Sequence, residues 1–233
     1  MNFPGSFNVR VLKPGKVVFK KSSSIIRNSI SSIELKNLGK IKNVLIIAPD
    51  NTRKTHLREI LTELLRLRGF LGKKVSVLFA NGLHREMDEA QIKLLVGEKL
   101  FSKLDFFNHS LAREDIKKLG VTKAGIPIAL NRRLFEGDFI VSIGVVEPHL
   151  YAGFSGGPKT IAIGLSGKDT IDKTHHPRFL DNPNVNLGVV KNNPFNRMLW
   201  EIVRHVRVDL AINILNDSDG NLIYCFTGRL DRV

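Results

Sequence analysis

NVLIIAPDNTR, residues 43–53, opens with an unbroken apolar run and closes on four polar residues. A run of this length, with no polar alternation, is the pattern of a strand buried on both faces, as in a parallel sheet covered by helices. The polar DNTR then falls at the strand's carboxyl end. Moving outward, residues 54–68 place Leu57, Ile60, Leu61, Leu64 and Leu65 at helical spacing, with Gly69 as the stop. KVSVLFA (74–80) reads as a second strand, Asp88 to Leu95 as a helix and LDFFNH (104–109) as a short strand. Ala112 to Leu119 reads as a helix ended by Gly120, and PIALN (127–131) and DFIVSIG (138–144) as strands. Buried strands alternating with helices predict an α/β fold. Its core would be a mostly parallel, Rossmann-like sheet flanked by helices, with a small β appendage.

The periphery is less regular. NVRVL and KVVFK, within residues 8–20, read as two strands about a Pro14-Gly15 turn, and residues 21–40, Ser- and Asn-rich with some helical spacing, as linker. Residues 195–206 read as a helix. VDLAINIL (208–215) and LIYCFTG (222–228) read as paired strands around residues 216–221.

In sheets of this kind ligands bind beyond the carboxyl ends of the strands. The polar residues follow that rule: Asp50 to Arg53 after the first core strand, Asn81 to His84 after the second, Asn108-His109 after the third, and Glu147-Pro148-His149 after a later one. Within this rim Asp50 or Thr52 is also a natural helix N-cap. The guanidinium of Arg53 suits a carboxylate or a phosphate, or a plain surface salt bridge. His84, His149, His175 and His176 each suit proton transfer or metal ligation, or simple capping. His56 and His205 read as structural. Gly153, Ser155, Gly156 and Gly157 before Lys159 form a glycine-rich loop that admits an anion or serves as a turn, but the spacing is not that of a P-loop.

Composition narrows the classes. The chain has 233 residues, 42% hydrophobic and 25% charged, as in an ordinary globular protein. No apolar run reaches the roughly 20 residues of a membrane span. The first residues lack the apolar core of a secretory signal. Cys225 is alone, which excludes an internal disulfide and a cysteine metal cluster, so the expected compartment is cytoplasmic. The net charge of +14 fits an anionic small ligand. It argues little for nucleic acid, because the basic residues are scattered and no aromatics interleave with them.

Four stretches together, DNTR (50–53), NGLHR (81–85), EPHLYAGFSGGPK (147–159) and TIDKTHH (170–176), resemble the nickel-dependent lactate racemase family. The family's motifs run D-x-T-R, G-x-H-R and P-H-x-x-A-G-[FY]-S-G-G-x-K, then a histidine sixteen residues beyond the lysine. Here His149 to Lys159 is ten residues and Lys159 to His175 sixteen. The likeness runs from about residue 43 onward. It implies a single N-terminal cofactor-binding catalytic domain over residues 1–233, with the family's C-terminal domain beyond it or supplied by a partner. It implies racemase or epimerase chemistry on a small anionic 2-hydroxy acid. The cofactor implied is a nickel-pincer nucleotide, a pyridinium bis-thiocarboxylate mononucleotide held covalently on Lys159 with nickel on His175. His84 and His149 would be the acid/base pair flanking a planar keto acid formed by hydride removal, and Arg53 would hold the substrate carboxylate. Asp50, Thr52, Ser155, Gly156 and Gly157 would seat the cofactor. Two departures stand out: Lys54 replaces a frequent proline, and Ile163-Gly164 a Pro-Gly pair.

Overall fold

The structure, a computed structural model, describes residues 21–33 and 38–233. The strands expected within residues 8–20 lie outside the described residues. In chain order the strands are β1 (Asn43–Ala48), β2 (Lys74–Phe79), β3 (Asp105–Asn108), β4 (Ile116–Val121), β5 (Pro127–Asn131), β6 (Phe139–Val145), β7 (Pro148–His149), β8 (Gly153–Phe154), β9 (Leu210–Asn216) and β10 (Leu222–Gly228). The helices are α1 (Ser22–Ser31), α2 (Leu57–Leu64), α3 (Glu89–Val96), α4 (Glu98–Phe101), α5 (Pro158–Ala162), α6 (Lys168–Thr174), α7 (Pro177–Leu180) and α8 (Pro194–Val203).

One six-stranded sheet in the order β10-β9-β6-β1-β2-β3 forms the centre, with every pairing parallel except the edge pair β9–β10. The expected α/β class and mostly parallel, helix-flanked sheet are what the chain adopts, and the small β elements are the two antiparallel pairs β4–β5 and β7–β8. The apolar run of β1 is split by the two-residue period of a strand. Val44, Ile46 and Ala48 pack with Ile26, Ile30, Leu57, Ile60 and Leu61, while Leu45 and Ile47 pack on the other face with Ile161, Phe195 and Leu199.

Three readings are corrected. Ser22–Ser31 is a helix in the core and not a linker. Ile26 and Ile30 are fully buried, and Ser29 ties α1 to β10, donating to the Cys225 carbonyl at 2.6 Å and accepting from Thr227 Oγ1 at 3.1 Å. Ala112–Leu119 is not a helix. A single 3₁₀ turn, Arg113–Asp115, leads into β4, which pairs with β5 as a hairpin outside the main sheet. The spacing of Ile116 and Leu119 looks helical, but both are half-buried on a strand carrying a register shift between Lys118 and Gly120. The helix predicted over 54–68 shrinks to Leu57–Leu64. His56, at φ 50°, breaks it, held there by Asn216, whose Oδ1 lies 3.2 Å from His56 Nε2 and whose Nδ2 donates to the Lys54 carbonyl at 2.7 Å. Neither Asp50 nor Thr52 therefore caps α2.

Asp88 is a true cap. Its carboxylate accepts the Gln91 N–H at 2.8 Å while the Gln91 side chain accepts the Asp88 N–H at 3.0 Å. Asp88→Ala is expected to lower stability by about 1 kcal/mol, read as a shift in the urea midpoint with unchanged slope.

Candidate active site

From β1 the chain proceeds outward to β2 and β3, whereas β6, on the other side of β1, continues to β9. The carboxyl ends of β1 and β6 diverge at this switch point, where an open α/β sheet offers a crevice. A cavity of about 420 Å³ sits there. Asp50, Thr52 and Arg53 reach it from β1, His84 from β2 and His149 from β7. Ser155 and Gly156 enter from the glycine loop, Lys159 from α5, and His175 from the end of α6. Nine of the ten residues to which the family resemblance gives a role thus line one cavity. The tenth, Gly157, lies behind it, its N–H donated to Asn213 Oδ1 at 3.2 Å.

Local chemistry sets each group. The Asp50 carboxylate is buried. Its Oδ1 accepts from the Thr52 N–H at 3.0 Å and from the Thr52 hydroxyl, and its Oδ2 lies 2.7 Å from His84 Nδ1. Both oxygens are engaged by the protein itself. Arg53 pairs through Nη1 with Glu147, and both side chains are over a third exposed. That pairing leaves the Nε/Nη2 edge of the guanidinium without a partner among the described residues. Ser155 is also occupied: its hydroxyl donates to the Val145 carbonyl at 2.7 Å and accepts the Glu147 N–H at 3.0 Å, which ties the loop to the end of β6.

The histidines differ from one another. His149 Nδ1 accepts the N–H groups of Tyr151 and Ala152, each at 3.2 Å. The ring thus caps its own turn while lining the cavity. Its pKa is pushed down to about 4, by burial first and then by the positive charges of Lys159, Arg53 and His175, so it stays neutral at physiological pH. His175 Nδ1 lies 2.9 Å from both the Ile171 carbonyl and the Thr174 hydroxyl; both can accept, and an Nδ1–H donated to them leaves the Nε2 lone pair free. The His175 ring is wedged edge-to-face between Tyr151, at 5.7 Å, and Phe195, at 5.4 Å. His176 faces elsewhere and caps α7 through the Arg178 N–H. Lys159 pairs with no carboxylate among the described residues. Burial, then the nearby charge of Arg53, lowers its ammonium to about 8, with Asp50 and Glu147 pulling the other way.

The end of β3 departs from the strand-end expectation. His109 is buried outside the cavity, Nε2 at 2.9 Å from the Ser166 carbonyl and Nδ1 accepting from Asn131 Nδ2 at 3.0 Å. Burial chiefly lowers its pKa. Asn108 clamps Met87 through both its N–H and its carbonyl. Asn81 joins these layers, donating to the His84 and His109 carbonyls and accepting the His109 N–H at 2.9 Å. The residue that sequence reading passed over is Asn213. Its signal was a lone amide inside the apolar run of β9, where a buried polar group needs a partner.

The model of the lactate racemase N-terminal domain family matches residues 2–188. The lactate racemase of Thermoanaerobacterium thermosaccharolyticum is 32% identical over 213 residues, covering 89% of this chain and 50% of that protein. That of Lactiplantibacillus plantarum is 29% identical over 208 residues, covering 88% and 49%. Among solved structures, the lactate racemase apoprotein from T. thermosaccharolyticum superposes with a TM-score of 0.82 at 28% identity, over 91% of this chain and 53% of that one. A Thermotoga maritima protein gives 0.73 at 27%, over 88% and 54%. The chain spans about half the length of the curated relatives it matches. With the family model covering most of its length, the chain belongs to the lactate racemase N-terminal domain family.

Proposed function

We propose that this chain is the cofactor-holding domain of a racemase or epimerase acting on a small, lactate-like 2-hydroxy acid, working in the cytoplasm. What carries the reading is the convergence, on one cavity, of an amine with no carboxylate partner among the described residues, two imidazoles on separate strand ends, an arginine edge and a third imidazole with an Nε2 facing no described partner.

The donor set fits the family's nickel-pincer nucleotide. Among the described residues no group of three or more His, Cys, Asp or Glu is arranged around a metal. His175 Nε2 is the ligand the family resemblance points to, and a single protein ligand suits a group that brings its own sulfur and carbon donors. Lys159, lowered to about 8, supplies an amine nucleophilic enough to carry a covalent tether near neutral pH. When bound, the pyridinium with its nickel would supply a hydride acceptor. The chain's own groups do the rest. The free edge of Arg53 grips the substrate carboxylate in a bidentate fork. His84 and His149 hold and return the hydroxyl proton. The buried side of the cavity keeps water from competing for the site.

Intact-mass and metal analysis of protein produced beside the cofactor-synthesis enzymes tests this. The expected result is an adduct on Lys159, one nickel per chain, and interconversion of D- and L-lactate. A chain without adduct or metal under those conditions would overturn it. A second reading, a cofactor- or anion-binding subunit that turns over only with a C-terminal partner domain, is supported by the doubled length of the relatives. It predicts adduct and nickel with no interconversion until that domain is added.

A further inference from the structure

Two imidazoles assigned one shared task are held in opposite ways. His84 Nδ1 faces the Asp50 Oδ2 at 2.7 Å. A carboxylate only accepts, so Nδ1 of His84 carries the hydrogen and Nε2 keeps its lone pair. His149 Nδ1 instead meets two backbone N–H groups, those of Tyr151 and Ala152. Backbone amides only donate, so Nδ1 of His149 holds the lone pair and the neutral ring carries its hydrogen on Nε2. Neither constraint is loose. The Asp50 carboxylate is 3% exposed, and its Oδ1 is fixed by the N–H and hydroxyl of Thr52. The acceptor atom of His149 is fixed by the main chain of its own turn.

We propose that Asp50, braced by Thr52, is a positioning residue that presents His84 as a proton acceptor, while the Tyr151–Ala152 turn presents His149 as a proton donor, so that the resting site is handed. This deepens the racemase reading and rests on it for its functional meaning. It also moves Asp50 and Thr52 from seating a cofactor to orienting an imidazole. A hydroxyl lying against His84 finds a lone pair at Nε2 and can surrender its proton. The imidazolium so formed keeps its Nδ1–H against Asp50. A hydroxyl or carbonyl oxygen lying against His149 finds an N–H. For His149 to accept a proton, its hydrogen must first leave Nε2. Moving that hydrogen to Nδ1 would set it against two amide donors.

Asp50→Asn gives a sharp test. The two Thr52 donors hold the amide oxygen at the Oδ1 position, which puts the NH₂ group in the place of Oδ2. His84 Nδ1 then meets a donor, and its hydrogen moves to Nε2. Long-range ¹H–¹⁵N spectra of histidine-labelled full chain at about pH 8.5, above the ordinary imidazole value of about 6.5, read the tautomers directly. His84→Gln and His149→Gln assign the signals. The expected spectra show His84 protonated at Nδ1, His149 protonated at Nε2, and His84 switched to Nε2 in Asp50→Asn. In loaded enzyme the same variant should lose roughly 10²–10⁴-fold in turnover, with the Lys159 adduct retained.

Like tautomers at both rings, or an unchanged His84 in Asp50→Asn, would overturn the proposal. Asp50→Ala covers the case in which the Asn variant fails to fold: removing the acceptor should leave His84 as a tautomer mixture, and a retained Nδ1–H would count against Asp50. Opposed tautomers in a chain that never takes up adduct or nickel would sink the racemase reading alone.

Discussion

Lys159→Met is expected to be more stable than the parent chain at pH values below about 8, and to carry no covalent adduct. The two effects share one cause. In the unfolded chain the amine ionises near 10.5, and in the folded chain near 8, because burial and the Arg53 charge disfavour the ammonium. A lysine whose folded value lies below its unfolded value works against folding wherever it must be charged. That penalty is complete below about 8, shrinks as pH rises from there toward 10.5, and is gone above it. Methionine fills the same space without a charge. The melting temperature of the variant should exceed that of the parent by roughly 2–8 °C near neutral pH, with the gap closing as pH is raised. The parent amine should react with an acylating reagent with a midpoint near 8, against the higher midpoints of surface lysines. A Met variant less stable than the parent throughout, or a reactivity midpoint near 10.5, would remove the basis for a tether at Lys159. A residue that costs the fold stability at working pH is the signature of a site kept for chemistry.

Which parts of this site were legible follows from the range of the forces involved. The strands that place it, β1, β2 and β6, announce themselves because burial on both faces demands an apolar residue at nearly every position. Once they are recognised, the strand-end rule points to Asp50, Arg53, His84 and His149 without further help. Lys159 and His175 stand out through the family resemblance and not through periodicity. The partners of these residues were not legible, because each comes from a different strand end or loop: Asp50 with His84, Arg53 with Glu147, His175 with Tyr151 and Phe195. His109 obeyed the same strand-end rule and was misread, since nothing nearby in sequence shows that Ser166 and Asn131 close over it. Ala112–Leu119 failed for a related reason. An i, i+3 pair of apolar residues fits a helix or a half-buried strand, and only the pairing of β4 with β5 decides between them.

Gly144→Ala should be among the most damaging single-methyl changes in the molecule. Gly144 lies on β6 with no left-handed backbone angle, so the cost is spatial and not conformational. An added Cβ would stand 2.3 Å from Asn213 Oδ1 and 2.9 Å from the Gly156 Cα. Neither neighbour can yield cheaply. Asn213 is buried, and its Oδ1 accepts the Gly157 N–H; Gly156 is main chain at φ 76°. Overpacking of a close-fitted core costs about 1–3 kcal/mol, and stranding the Gly157 N–H adds about 1–3 more. A loss of about 2–6 kcal/mol, or roughly 4–24 °C in melting temperature, is expected. Gly39→Ala is the control: its Cβ meets nothing within 4 Å among the described residues and its backbone angle is ordinary, so it should stay within about 0.5 kcal/mol of the parent. The functional consequence follows from chain continuity, because Gly156 and Gly157 lead directly through Pro158 into Lys159. Pushing the loop off Asn213 releases the amine toward solvent, and its reactivity midpoint should climb from about 8 toward 10.5. If Gly144→Ala melts with the parent and leaves that midpoint in place, the packing of β6 against the glycine loop does not set the environment of Lys159.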